Sequence, residues 1–150
     1  MLEIVLKIIV WIGTPLAAFL AVNFIGKVIV GFHTLRREIL AELGATANVS
    51  HREGNETRWD EAQAKLRSLG TGLRAMHDTS NKIVRLYFHL YGYNLSEASS
   101  GLIGLSNSLA TLGYQRAAAR YRIEKGLKFP HATSIEMIEK LRERELRIGR

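Results

Sequence analysis

From Ile8 to Gly26 the chain carries no charged residue. At a rise of ~1.5 Å per residue, a helix over this run is about 28 Å long, close to the hydrocarbon thickness of a bilayer. The length fits a spanning helix. Lys7 and Lys27 bracket the run where their ammonium groups reach the headgroups, and Trp11 lies near one end. The alternative is a helix buried in a soluble core, for which Pro15, Asn23 and the charges Glu3 and Lys7 speak. A cleaved leader is disfavoured, because Glu3 opens the chain and no A-x-A pattern follows the run.

The expected architecture is all-α: a single N-terminal transmembrane helix followed by a small helical bundle domain. Residues 1–32 form the membrane anchor, 33–56 a juxtamembrane stalk and linker, and 57–150 the helical domain. Positive charge close to the span decides orientation. Lys27, Arg36 and Arg37 on one side outweigh Lys7 and the amino terminus on the other, which places the C-terminal domain in the cytoplasm. The triplets Asn48–Ser50, Asn55–Thr57 and Asn94–Ser96 would matter as glycosylation sites only if that domain were lumenal.

Beyond the anchor, Phe32, Leu35, Ile39 and Leu43 keep an apolar stripe at helical spacing up to Gly44, and 45–56 reads as a loop. Trp59, Ala62, Leu66, Leu69, Leu73 and Met76 mark one face of the next helix, and Gly70 and Gly72 predict a bend or break in it. The run Asn81–Tyr91 is rich in strand-favouring residues, yet Lys82, Arg85 and His89 form one polar stripe, which selects a helix. Asn94 with Glu97 predicts the capped start of a helix running from Leu95 to about Leu112. Few charges mark that helix as central. A further helix over Tyr114–Leu127 ends at the Phe129–Pro130 break. Thr133 with Glu136 predicts the cap of the last helix, Ser134–Ile148, in which Ile135, Ile138, Leu141 and Ile148 are available for burial.

With no cysteine, disulfides, thiolate metal sites and cysteine nucleophiles are excluded together. No histidine pairs with another at i, i+3 or i+4, so no metal site is expected. His77 beside Asp78 supplies two parts of a triad without a nucleophile elbow, and Gly101 and Gly104 lack the Lys and Ser/Thr of a phosphate loop. The reading is therefore no enzyme and no cofactor; a deep polar pocket holding His77, Asp78 or Ser106 would reverse it.

Lys and Arg outnumber Asp and Glu by 21 to 14, a net charge of +7 that favours anionic surfaces. The excess is densest at Arg116, Arg120, Arg122, Lys125 and Lys128, which stand against the single acid Glu124. Such guanidinium groups can hold phosphates; the plainer alternative is a solvated face with local ion pairs. Gly101 and Gly104 sit inside a helix, where each costs ~1 kcal/mol relative to Ala, so close packing must offset them. The expected packing partner is the aromatic segment Ile83–Tyr91, and the alternative is a groove left open for a partner helix.

The composite expectation is a membrane-anchored helical interaction or scaffold protein with the lipid bilayer and a protein as partners. The alternative is a peripheral regulator that presses its basic face onto anionic lipid, with nucleic acid the less favoured ligand. Homo-oligomerisation enters through Gly13, Ala17 and Ala21, small residues at four-residue spacing that let two helices approach closely in lipid. Gly13→Ile with Ala17→Ile should lower energy transfer between labelled copies in membranes. An unchanged signal would leave that stripe without a packing role.

Overall fold

The protein's fold is given by a computed structural model that describes residues 2–47, 56–109, 113–130 and 134–148. Every regular element among the described residues is helical. Helix α1 (Leu2–Ala21), a π-helical turn (Val22–Gly26) and α2 (Lys27–Ala45) follow one another without a break in right-handed geometry. Together they form one rod about 65 Å long. The rod contains a segment long and apolar enough to cross a membrane. Its apolar side chains Ile12, Leu16, Phe19, Val22 and Phe24 touch little else in the protein. The polar groups in this stretch turn inward: Thr14 Oγ1 donates to the Val10 carbonyl at 2.7 Å and Asn23 Nδ2 to the Phe19 carbonyl at 2.8 Å. Both donors are thereby paired within the helix.

The same rod then enters the domain. Phe32, Ile39 and Leu43 are fully or almost fully buried, so the helical part of the expected stalk belongs to the core. The linker residues 48–55 lie outside the described residues, as do His51 and His131.

Around this rod stand α3 (Glu56–Thr79), α4 (Lys82–Leu90), α5 (Leu95–Asn107), α6 (Tyr114–Gly126) and α7 (Ile135–Ile148). As its low charge predicts, α5 is central, packed between α3 and α6. Two asparagines cap helices, Asn94 where the sequence places it and Asn81 as a cap the sequence reading did not mark. Asn81 accepts from the Val84 amide at 2.9 Å, and Asn94 accepts from the Glu97 amide at 3.0 Å while its Nδ2 donates back to Glu97 Oε2.

Three expectations change. First, α3 runs unbroken through Gly70, because there the missing side chain is used for packing: a Cβ would lie 3.2 Å from Leu102 Cβ and 3.3 Å from the Ser99 carbonyl. Ser99 Oγ fills the approach by donating to the Gly70 carbonyl at 2.8 Å. Second, α5 ends at Asn107, and Leu112 lies outside the described residues. Ser106 and Ser108 turn their hydroxyls back onto the Ile103 and Gly104 carbonyls, an alternative to continued helix. Third, the last helix is capped by Ser134, whose Oγ accepts from the Met137 amide at 3.2 Å; Thr133 lies outside the described residues. In that helix Ile138 and Leu141 are half-buried against α6, while Ile135 is exposed.

The two glycines of α5 differ sharply. A Cβ on Gly101 would lie 2.8 Å from both the Ala119 carbonyl and Ile123 Cγ1, so α6, and not the aromatic segment, is what this surface admits. On Gly104 it would meet only Ala119 Cβ, at an ordinary 3.5 Å. Gly101→Ala should therefore cost about 1–3 kcal/mol by overpacking. Gly104→Ala should recover up to ~1 kcal/mol of helix propensity. Thermal unfolding of the full chain in detergent, followed by circular dichroism, should rank them Gly101→Ala below wild type and Gly104→Ala at or above it.

Candidate functional site

The basic residues of α6 were the leading candidates for a ligand surface, and the structure shows what each one touches. Helices α2 and α6 run in opposite directions and are tied at both ends by arginines. Arg36, on α2, donates through Nε to the Leu127 carbonyl at 2.8 Å and through Nη2 to the Lys128 carbonyl at 3.0 Å, just past the C-terminus of α6. Its guanidinium also lies over the Phe129 ring, 4.6 Å from the centroid. Arg116, on α6, donates to the Thr46 and Ala47 carbonyls at 2.7 and 3.1 Å, just past the C-terminus of α2. Each arginine supplies donors and positive charge where helix-end carbonyls lack partners. Burial, and after it the neighbouring Arg120, lower the Arg116 guanidinium from its ordinary value.

Arg120 lies one turn on and pairs with Glu124 at 2.9 Å, with the Glu124 side chain almost wholly buried. Lys125 reaches across to Glu97 on α5 at 3.2 Å. Arg122 and Lys128 are exposed. Lys128 holds a left-handed backbone at φ 54°, and its side chain runs beside Gly92. Three of the five candidate cations thus have acid or carbonyl partners inside the domain. Arg122 borders an open cleft of about 340 Å³ between α6 and α7, where Glu97, Glu139 and Arg142 give both signs of charge.

The remaining candidates are spread through the molecule. Gly13, Ala17 and Ala21 are exposed on the apolar rod, and a Cβ on Gly13 would meet nothing within 4 Å. His77 and Asp78 form an exposed pair at 3.0 Å, while Ser106 is fully buried elsewhere, so the structure does not assemble them. No group of three or more potential metal ligands occurs among the described residues.

Sequence reasoning read Arg36 only as a topology signal, because its partners lie some ninety positions away in the chain. It also missed an aromatic cluster where the rod meets α4. Phe32 packs 4.9 Å from Phe88 and 4.8 Å from Tyr93, and His33 Nε2 is hydrogen-bonded to Tyr87 Oη at 3.0 Å. Burial, followed by Tyr93 and Tyr91, raises the Tyr87 phenol above its usual value and keeps it neutral. Compared with protein-family models, curated proteins and solved structures, the chain matches none.

The pairing pattern makes a direct prediction. Arg120→Gln strips an ionised partner from a buried carboxylate and should destabilise the domain by about 1–3 kcal/mol. Arg122→Gln, at an exposed position, should stay within about 0.5 kcal/mol of wild type. Chemical denaturation of the two variants checks the order.

Proposed function

We propose that this chain is a single-pass membrane protein whose helical domain is held at the cytoplasmic face as an interaction or scaffold module for another protein. The observation that carries this reading is the unbroken passage of one helix from an uncovered apolar stretch into a packed core. Phe24 is largely exposed, while Phe32, about two turns further on, is fully buried. A hinge between anchor and domain would let the domain tumble. A continuous rod with Ile39 and Leu43 in the core supports a domain carried on its anchor without a hinge. Such mounting suits a protein that presents a surface to a partner at a set position.

The engagement of Arg116, Arg120 and Lys125 within the domain speaks against α6 as a broad phosphate-binding face. Arg116 instead ties α6 to the end of α2.

Full-length protein in native membranes should stay in the pellet through alkaline carbonate and high salt, because burial of an apolar span does not depend on charge. A C-terminal tag should be digested by protease only when the cytoplasmic face is accessible. Cross-linking in the same membranes should give discrete products with another protein. Release by carbonate overturns the anchor, protection of the tag overturns the orientation, and a protein that never cross-links overturns the scaffold role.

A further inference from the structure

We infer that α4 is an interfacial helix, lying in the headgroup layer of the membrane that the rod crosses, with Ile83, Leu86 and Leu90 immersed among the acyl chains. The inference deepens the anchor reading and rests on it.

Helix α4 has more apolar surface than the fold uses. Val84 and Phe88 are 0% and 4% exposed and attach it to the core. Ile83, Leu86 and Leu90 are 59%, 55% and 72% exposed. At 100° per residue these three share an arc about 60° wide, centred roughly 150° away from the buried pair. Two separate apolar faces on nine residues are not explained by packing against one bundle. Solvent contact for three large aliphatic side chains on one short helix is unfavourable, and such patches mark contact with something apolar.

The position of α4 identifies the occupant. Its contacts with the rod are at Phe32 and His33. Those residues lie only five and six positions beyond Lys27, or about 7–9 Å along the helix axis. Between Lys27 and His33 the rod is still apolar, and Val30 is 67% exposed. Helix α4 therefore meets the rod, through Tyr87 and Phe88, at the end of the rod's exposed apolar surface, within the depth that headgroups would occupy, which leaves Ile83, Leu86 and Leu90 uncovered at that level.

Charge agrees. Every charged residue of α4 is a cation, Lys82 and Arg85, and with His89 they form the third face of the helix. Cations on long stems beside an immersed apolar face can snorkel to anionic headgroups. Tyr87, Tyr91 and Tyr93 cluster at the same level, with Tyr87 and Tyr91 4.6 Å apart. Tyrosine suits that layer because its ring is apolar and its hydroxyl is wet.

The chain has no cysteine, so single cysteines can be placed cleanly. Full-length protein carrying Leu86→Cys, Leu90→Cys, Thr71→Cys or Val22→Cys, each labelled with an environment-sensitive fluorophore, is reconstituted into phosphatidylcholine vesicles containing phosphatidylserine. Probes at positions 86 and 90 should lose most of their emission to lipids bearing a quencher near the headgroup and little to aqueous iodide. The probe at position 71, on an exposed part of α3, should behave in the opposite way. The probe at position 22 should respond to a quencher near the bilayer centre. Iodide quenching at 86 and 90 with deep quenching at 22 retained would overturn the interfacial helix and leave the anchor standing. Shielding of 86 and 90 from both quenchers would assign the face to a second copy of the chain and also overturn the proposal. Loss of deep quenching at 22 would overturn the anchor and the interfacial helix with it.

Discussion

The rod packs on α3, and a reciprocal arrangement ties it to α6: α2 and α6 each lend an arginine to the carbonyls that lack helix partners at the other's C-terminus. About ten residues separate Arg36 from Thr46 on one helix, and a similar number separate Arg116 from Leu127 on the other. The two clamps therefore sit at matching heights, some 15 Å apart along antiparallel axes. Hydrogen bonds from a charged donor contribute roughly 1.5–3 kcal/mol each, more than neutral ones. Bonds at two separated points also resist rotation, which one apolar contact patch would not.

Between the clamps, close packing is set by what α5 lacks. Ala98, Ser99 and Gly101 leave room on two sides, and α3 and α6 come near enough for backbone to touch backbone. Gly126 continues this on α6, where a Cβ would lie 2.6 Å from the Asn94 carbonyl. The Asn94 amide in turn donates to the Gly126 carbonyl at 2.8 Å, so the start of α5 and the end of α6 are joined directly. With α5 pressed against both neighbours, the larger side chains Leu66, Leu102 and Ile123 close the core around it.

Local patterns were legible in the sequence wherever the physics is local. The cap at Asn94, the stripe Ala62–Leu66–Leu69–Leu73 and the low charge of α5 are each contained within one helix and its first flanking residue. Periodicity says which face of a helix is buried and nothing about the neighbour that buries it. For that reason Gly70 read as a break and Gly101 was assigned to the aromatic segment, when their partners are Ser99 and Ile123 on other helices. The candidate basic surface suffered in the same way. The pair Arg120–Glu124 is visible as an i, i+4 stripe, but Arg116 with Thr46 and Lys125 with Glu97 are separated by 70 and 28 positions.

Helix α4 shows where pattern reading fails for a deeper reason. A soluble helix has one apolar face, and a period test reports its direction. With Val84 and Phe88 on one side and Ile83, Leu86 and Leu90 on another, the two faces merge in sequence into an unbroken run that resembles a strand. The polar stripe Lys82–Arg85–His89 was enough to recover the helix, but not to separate a face covered by protein from one left exposed. Only burial distinguishes them, and burial depends on how the rod, through Phe32 and His33, sets α4 beside its own apolar surface. The continuity of the rod into the core therefore decides which face of α4 is covered by protein and which is left exposed.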